Sequence, residues 1–351
     1  LGRKIQTVAR TRGRAVVVVN ASEGEPASHK DTALLQVAPH RVLDGAVVAA
    51  RALGARTIHV VTPAERPEAG AAVHAAIAER PKERVRWMQH EADPGFVSGQ
   101  ARAVLELMAG RPNLPVTAWA PEAMSGHNGR PTLLSNAETF AHLGVLTRGG
   151  VQAYADLGTE AEPGTTLLSV GGSLPDGPTG SPRTRVVEVE HGTPLVQVLP
   201  TGALQCPILT GGYHGTWADP GVGESLLVSR TSFADHGLAL GAGVIIPLLD
   251  GSCPVRRTAA VTRYLAGETA GRCGPCFNGL PALADAVEDL ARGYDTSVTV
   301  DRLRRLVTGR GACAHPDGTA RLVGSLIANI APVVTSHLAG LCACPDQQRA
   351  A

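Results

Sequence analysis

The segment AVVVVNASEGEP, residues 15–26, decides the fold class of this chain. Its five apolar residues, Ala15 to Val19, are followed by Asn20 and a loop with two carboxylates. A short β-branched run that is apolar throughout is typical of a strand buried on both faces of a parallel sheet. Because ligands bind outside the carboxyl ends of such strands, Asn20 stands at a candidate binding position. An ordinary turn residue is the competing interpretation.

Alternating strands and helices continue through the first third of the chain. Apolar spacing predicts strands at 57–61 and 85–88 and helices at 39–53, 68–79 and 99–108. This alternation predicts a parallel sheet with crossover helices. Residues 113–129 are expected to be irregular. Ser135 is predicted to cap a helix, with Glu138 completing a capping box, and the helix should end at Gly149-Gly150.

The pattern changes after residue 164. Short strands are predicted at 166–170, 185–190, 207–210, 225–228 and 244–249, with one short helix after Thr193-Pro194. Beyond Pro254 the chain is predicted to be helical, at 255–265, 280–292, 300–307 and 319–338, with a kink at Pro332. We therefore expect three domains, at 1–160, 161–250 and 251–351.

Composition limits the function classes. The 351 residues carry a formal net charge of +1, which gives no support for binding nucleic acid through a basic surface. No apolar run reaches the ~18 residues typical of a membrane span, and no secretory signal is visible. Seven cysteines, an odd number, favour a reduced compartment and a metal or redox site over disulfides. Because the first residue is Leu1, we expect the reading frame to begin upstream.

The strongest local signal is Cys273-Gly-Pro-Cys276, joined by Cys313 in a glycine-rich loop. A C-x2-C pair places two thiolates within reach of one metal ion or cluster. The alternative to a metal site is that these cysteines are unrelated and pack as small apolar side chains. With His315, the three cysteines would instead form a Cys3His set suited to structural zinc.

Three ordered motifs together resemble one family. These are VNASEGEP at 19–26, GRPTLLSNAET at 129–139 and RCGPCFNG at 272–279, and Lys30-Asp31 and Pro39-His40 follow the first motif at the family's spacing. They are similar to the flavin-bearing, NADH-binding subunit of respiratory complex I and its relatives in NAD-linked hydrogenases and formate dehydrogenases. The resemblance implies a Rossmann-like FMN domain, a β-grasp module of the soluble-ligand-binding type, and a helical domain that holds a 4Fe–4S cluster. It also places the family's glycine-rich phosphate loop just before Leu1.

The resemblance implies a set of residues around the flavin and the nicotinamide nucleotide, and leaves catalytic residues unassigned. The matching positions are Lys4, Asn20, Ser22, Glu23, Glu25, Phe96, Gly99, Ser135, Asn136 and Thr139. Gln100 and Ala101 depart from the family pattern, because they replace two family carboxylates. The resemblance implies three cofactors, FMN, a 4Fe–4S cluster and NAD(H), and this departure weighs against NAD(H).

The implied cluster site also departs from the family. Cys273, Cys276 and Cys313 match three ligands, but Ala270 stands where the family has its first cysteine. Three candidates for the fourth ligand are Cys342, Cys344 and His315.

The leading hypothesis is an NADH dehydrogenase-like oxidoreductase that passes electrons from NADH through FMN to the cluster and an iron–sulfur partner subunit. One alternative is a non-catalytic scaffold of the same fold, with structural zinc or a degenerate cluster and lost NADH binding. Another is a small-ligand module that uses the loop Gly211–Gly215, although that loop also resembles a turn. We expect a cytoplasmic protein without a membrane span, with peripheral attachment at the cytoplasmic side of a membrane as the variant.

Overall fold

The computed structural model describes residues 1–171, 184–249 and 251–342. They belong to two compact units, Leu1–Leu157 and Gly158–Ala351. The second unit contains both the predicted β-grasp module and the predicted helical domain, so a boundary at residue 250 stays a prediction.

The first unit is built on a four-stranded parallel sheet in the order β3-β2-β1-β4. The strands are β1 (Val16–Asn20), β2 (Thr57–Pro63), β3 (Arg86–Ala92) and β4 (Thr132–Asn136). The helices are α1 (Gly2–Arg10), α2 (Lys30–Val37), α3 (Pro39–Ala52), α4 (Pro67–Ala78), α5 (Ala101–Met108) and α6 (Ala137–Ala155). The predicted parallel α/β architecture is therefore confirmed.

Strand β1 is buried on both faces, as its sequence predicts. Val17 and Val19 pack into one apolar cluster, whereas Val16 and Val18 pack into another on the opposite face. All four side chains are fully buried. After β1 the chain adds β2 and β3 on one side, then returns to add β4 on the other. The strand order thus reverses between β1 and β4, where open α/β sheets bind ligands.

The second unit combines a five-stranded mixed sheet with helices. Its strands, in the order β6-β5-β9-β7-β8, are β5 (Thr165–Val170), β6 (Arg185–Glu190), β7 (Ile208–Thr210), β8 (Thr216–Ala218) and β9 (Val244–Pro247). The helices are α7 (Arg230–Asp235), α8 (Pro254–Gly267), α9 (Leu280–Ala291), α10 (Ser297–Val307), α11 (His315–Asn329) and α12 (Ala331–Leu338), with a π-helical turn at Pro275–Gly279. The mixed sheet fits the predicted module.

Buried Trp217 on β8 connects the sheet to the helices of this unit. Its indole N–H donates to the hydroxyl of Thr258 on α8 at 2.8 Å, and its backbone N–H donates to Ser325 on α11 at 2.9 Å. Its carbonyl accepts from the amide of Asn329 at 2.8 Å. These bonds explain why the sheet and the helices form one compact unit.

Several local predictions need correction. Ser135 does not cap α6: it lies in β4, and Asn136 is the cap. Residues 225–228 form no strand; there, Leu227 makes only an isolated bridge with Pro194. The predicted last helix is divided at Ile330, just before Pro332, into α11 and α12.

Five short elements were missing from the sequence-based assignment: α1, α2, β4, α7 and β8. The short helix predicted after Thr193-Pro194 is a 3-10 turn at Leu195–Gln197. Within the described residues, no individual helix has the length and apolar character to cross a bilayer; α11 and α12 meet that test only as a pair bent by 79°.

Candidate functional site

The carboxyl ends of β1 and β4 meet at the point where the strand order reverses. Asn20 and Asn136, the last residues of the two strands, are direct register partners. The Asn136 side-chain oxygen accepts from the backbone N–H of Thr139 at 3.0 Å and from the Thr139 hydroxyl. It thereby caps α6, whose N-terminus lies at the carboxyl end of β4. A helix N-terminus favours a phosphate or another anion, because its first N–H groups have no partner within the helix.

Lys4 brings a positive charge to the same strand ends. Its ammonium donates to the Leu134 carbonyl on β4 and to the Glu122 carboxylate, both at 3.0 Å. The Lys4 side chain is 44% exposed, so it remains accessible to an anionic ligand. Burial raises the pKa of Glu122, but the hydrogen bond from Lys4, a backbone hydrogen bond and the charges of Lys4 and Arg102 together hold that pKa below its usual range.

Two loops touch beside Asn20. The Asn20 amide donates to the Gly99 carbonyl at 2.8 Å, and the Ser22 hydroxyl donates to the Asn20 side-chain oxygen at 2.6 Å. A Cβ on Gly99 would lie 2.9 Å from the Ser22 hydroxyl, and one on Gly24 would lie 2.9 Å from the Phe96 carbonyl. Glycine is therefore required at residue 24, where a Cβ would meet backbone, and at residue 99 it leaves room for the Ser22 hydroxyl. Buried Ser22 therefore holds the Asn20 side chain in place through this hydrogen bond.

The carboxylate of Glu23 is turned inward. It forms an ion pair with Arg66 at 2.6 Å and accepts from the Ser28 hydroxyl at 2.9 Å. It also accepts from the backbone N–H groups of Asp31 and Thr32, at 2.9 and 3.0 Å, in the first turn of α2. With its side chain 1% exposed, Glu23 holds the loop against α2. This geometry favours a positioning role over the predicted direct contact with flavin or nucleotide.

The remaining predicted residues of these loops are less buried than Ser22 and the Glu23 carboxylate. Glu25 is partly exposed and accepts from the Ala27 backbone N–H at 3.2 Å; Phe96 is also partly exposed. Gln100 and Ala101 stand at the N-terminus of α5, at the carboxyl end of β3. The family's two carboxylates would lie at this helix start, which here has neither.

Two charged residues of this region were not predicted as site residues. Arg66, before α4, binds Glu23 and also donates to the Ser28 carbonyl at 3.0 Å. Lys30 is buried and pairs with Asp31 and Glu138, both at 2.9 Å, which ties α2 to α6. Burial lowers the pKa of Lys30, but the two carboxylates outweigh it and raise that pKa. The Lys30-Asp31 pair within the family motif was the available signal.

The two cysteines of the C-x2-C motif lie close together, Cys276 within the π-helical turn and Cys273 two residues before it. Their Sγ atoms are 3.4 Å apart, and Cys276 is buried while Cys273 is partly exposed. Burial raises the pKa of the Cys276 thiol, but backbone hydrogen bonds at Arg272 and the Cys273 side chain lower it overall. A lowered thiol pKa favours the thiolate, which is the form that binds metal.

Cys313 follows α10, a helix that packs against this turn. A Cβ on Gly279 would lie 2.4 Å from a methyl group of Val307, the last residue of α10. Cys313 itself is partly exposed in the loop before α11. Ala270, at the position of the family's first cysteine, is buried and has no ligand atom to offer.

The candidates for a fourth ligand have other partners. The His315 ring donates through Nε2 to the Leu265 carbonyl at 2.8 Å, and its Nδ1 lies 3.1 Å from Nε2 of His214. Both ring nitrogens are thus engaged, which argues against a zinc site that includes His315. Cys342 is grouped with Cys253 and His337 instead. Cys344 lies outside the described residues.

The loop Gly211–Gly215 is a tight turn between β7 and β8. Gly211 and Gly212 have φ of 86° and 89°, and a Cβ on Gly215 would lie 1.8 Å from the Thr210 carbonyl. Its glycines are therefore explained by backbone geometry, without a bound ligand.

Both implied cofactors fit the residues present. The reversal point of the sheet offers an amide pair, an ammonium group and a helix N-terminus, which suits a phosphorylated flavin. The π-helical turn and the residues just before it offer two adjacent thiols, and a third thiol lies on the loop after a helix that packs on the turn. Thiolates are the ligands that iron–sulfur clusters use.

Comparisons with known proteins agree with these two sites. Residues 1–144 match the profile of the Nuo51 FMN-binding domain. Residues 256–337 match the NADH-ubiquinone oxidoreductase-F iron-sulfur binding region.

Relatives match along most of the chain. An NADH-quinone oxidoreductase subunit of Mycobacterium tuberculosis is 26% identical over 348 residues, covering 92% of this chain and 76% of the relative. NADP-reducing hydrogenase subunit HndC of Solidesulfovibrio fructosivorans is 26% identical over 309 residues, which cover 83% of this chain and 61% of the relative.

A solved structure shares the fold. An NAD+-reducing [NiFe]-hydrogenase in the H2-reduced state superposes with a TM-score of 0.83 at 23% identity. The match covers 96% of this chain, which spans 59% of that hydrogenase chain. The predicted fold class is confirmed. Residues 1–144 are thus similar to Nuo51 FMN-binding domains and residues 256–337 to the NADH-ubiquinone oxidoreductase-F iron-sulfur binding region, and the chain resembles NADH-quinone oxidoreductase subunits along most of its length.

Proposed function

We propose that this protein is an electron-transfer subunit that oxidises a reduced nicotinamide nucleotide and delivers single electrons to a partner. Bound FMN would supply hydride acceptance and one-electron release, and a 4Fe–4S cluster would supply onward transfer. The chain's own task is to hold both groups in fixed places.

One observation supports the flavin site above all others: Asn20 and Asn136 are register partners at the reversal point of the sheet. Around them we assign the phosphate to Lys4 and the N-terminus of α6. We assign polar contacts with the flavin to Asn20, Ser135 and Asn136, because their amide and hydroxyl groups can donate and accept.

The nucleotide site is the part in which this chain differs most from its family. Phe96, Glu25 and the loop before α5 are the surfaces that we assign to the nicotinamide nucleotide. Gln100 at the start of α5 is neutral and can still hydrogen-bond a ribose hydroxyl. We therefore propose that nucleotide binding is retained, with Gln100 taking over a carboxylate's role.

For the cluster, we assign Cys273, Cys276 and Cys313 as protein ligands. Phe277 directly follows Cys276 and is 67% exposed. An exposed aromatic side chain beside a cluster ligand suits contact with a second protein. The relatives are named as subunits, and we propose an iron–sulfur protein as this chain's partner. Attachment at the cytoplasmic side of a membrane stays a prediction.

A non-catalytic scaffold is the second candidate function. The replacement of a cluster cysteine by Ala270 and the neutral start of α5 favour it. With structural zinc in place of the cluster and no bound flavin, the scaffold is colourless, whereas the electron-transfer proposal predicts a coloured protein.

A measurement of cofactor content distinguishes the electron-transfer protein from the non-catalytic scaffold. The natural full-length chain is prepared without oxygen, and FMN, iron and acid-labile sulfide are measured. We expect flavin and iron together. Asn136→Ala should lower flavin content and leave iron unchanged, and Cys276→Ser should do the reverse. A chain that binds neither group when both are supplied contradicts the proposal.

A further inference from the structure

A second group of metal-binding side chains lies in the helical part of the second unit. Cys253, His337 and Cys342 have ligand atoms that all lie within 4.8 Å of one another. Among the described residues, this is the group of three that meets that criterion. We propose that these residues form a metal site, distinct in its ligands from the cluster cysteines, that takes a thiophilic divalent cation such as Zn²⁺.

The spacing of the two innermost ligand atoms fits a tetrahedral ion. The Cys253 Sγ lies 3.4 Å from Nδ1 of His337. With Zn–S near 2.3 Å and Zn–N near 2.0 Å, two tetrahedral ligands are about 3.5 Å apart. The pair can therefore accept an ion between them with little movement.

The histidine is already oriented as a ligand. Nε2 of His337 lies 3.1 Å from the Ala291 carbonyl, which can only accept, so Nε2 carries the hydrogen. In the neutral ring, Nδ1 then presents its lone pair toward Cys253. Metal-binding histidines commonly donate their other N–H to a carbonyl in this way, which fixes both ring orientation and tautomer.

Charge also favours binding at this depth. Cys253 and His337 are 1% and 3% exposed. One divalent cation with two thiolates and a neutral imidazole has no net charge, which suits a buried site. Binding would release the two thiol protons to solvent. Cys253 also sits at the N-cap of α8, where the helix dipole stabilises a thiolate.

The site would connect separate parts of the fold. Cys253 begins α8, Ala291 ends α9, and His337 lies in the last turn of α12. Cys342 follows α12 and is partly exposed, which gives an ion a route of entry. A bound ion would therefore fix the residues after α12 to the start of α8. The hydrogen bond of His337 to Ala291 connects the same site to the end of α9.

Elemental analysis of the full chain tests this proposal independently of the flavin. We expect about one zinc ion per chain in addition to cluster iron. Cys253→Ser and His337→Ala should each lose the zinc and keep the iron. Cys276→Ser should lose the iron and keep the zinc. Cys206→Ser, which removes a partly exposed thiol outside both sets, should keep both metals.

Cobalt provides a second readout. Co²⁺ added to zinc-depleted protein should give thiolate-to-cobalt charge-transfer absorption that is lost in Cys342→Ser, a change outside the helices that should leave folding intact. Zinc content unaffected by Cys253→Ser, a Cys253–Cys342 disulfide in the protein as isolated, or loss of iron in Cys253→Ser would each overturn the proposal.

Discussion

At the scale of single residues, Glu23 shows how the site is held in place. Its φ of 43° is in the left-handed region, which costs energy for a residue other than glycine. The inward carboxylate offsets that cost by satisfying N–H groups at the start of α2 and by pairing with Arg66. The loop after β1 is thus preorganised before any ligand arrives.

Replacing this carboxylate should destabilise the first unit strongly. We expect Glu23→Gln to lower the free energy of unfolding by about 3 kcal/mol, because it leaves Arg66 without its buried partner. Urea unfolding measures the change. Glu65→Gln, at an exposed loop position nearby, is the control and should have almost no effect. Equal losses in the two variants would contradict the assignment.

Three histidines give the first unit a pH dependence. Nδ1 of His59 lies 2.9 Å from Nε2 of His90, and the rings of His59 and His127 are 5.0 Å apart. Burial, followed by the charges of His90 and His127, lowers the pKa of His59 to about 3. Burial likewise lowers the pKa of His90 and His127.

The sign of the effect follows from proton binding. Below pH ~6.5 the unfolded chain takes up protons that the native histidines exclude, so native stability is lost as pH falls from about 6.5 toward 3. Thermal unfolding across this range should show it, and His59→Gln should flatten the slope. A variant with an unchanged slope would show that the histidines do not cause it.

At the scale of elements, the cap of α6 distinguishes the sequence prediction from the structure. Asn136→Ala should cost about 1 kcal/mol in unfolding free energy, since it removes the side chain that caps the helix. Ser135→Ala is the matched neighbour and should cost much less, because Ser135 lies in β4. A larger loss for Ser135→Ala would restore the predicted capping box.

Helices α3 and α6 pack with their backbones in contact. A Cβ on Gly45 would lie 1.8 Å from the Phe140 carbonyl, and one on Gly144 would lie 2.2 Å from the Arg41 carbonyl. Gly45→Ala should therefore destabilise the fold by about 3 kcal/mol or more, as overpacking against backbone cannot relax through rotamers. Gly149→Ala, in α6 with only an ordinary contact at 3.7 Å, is the control in urea unfolding.

Local patterns identified the long elements and missed those that depend on distant contacts. The apolar run at Val16–Val19 identifies β1 by itself. By contrast, α2 begins where Glu23 and Arg66 meet, which no local pattern predicts. Ser135-Asn136 fits a helix cap in two registers, and only pairing with β1 decides between them.

The same limit applies to the sites. Cys273 and Cys276 are recognisable because they are three residues apart. Cys253 and His337 are separated by 84 residues and come together only in the packed helices. The inward orientation of Glu23 is likewise invisible in a motif whose family role suggests ligand contact.

At the scale of the whole molecule, each unit carries one proposed cofactor. The first places polar groups at the reversal point of a parallel sheet, and the second places thiols in its helical part. Because the hydrogen bonds of Trp217 join the mixed sheet to α8 and α11, the predicted β-grasp and helical domains should unfold together. Separate calorimetric transitions for the two would contradict this.

The proposed activity is electron transfer from a nicotinamide nucleotide through bound flavin to a cluster. The most direct measurement is anaerobic titration of the FMN- and iron-loaded full-length protein with NADH and, separately, NADPH, followed by visible and electron paramagnetic resonance spectra. We expect one nucleotide to bleach the flavin band and to produce a reduced-cluster signal, which Cys276→Ser abolishes while flavin bleaching persists. A fully loaded protein whose spectra neither nucleotide changes would contradict it.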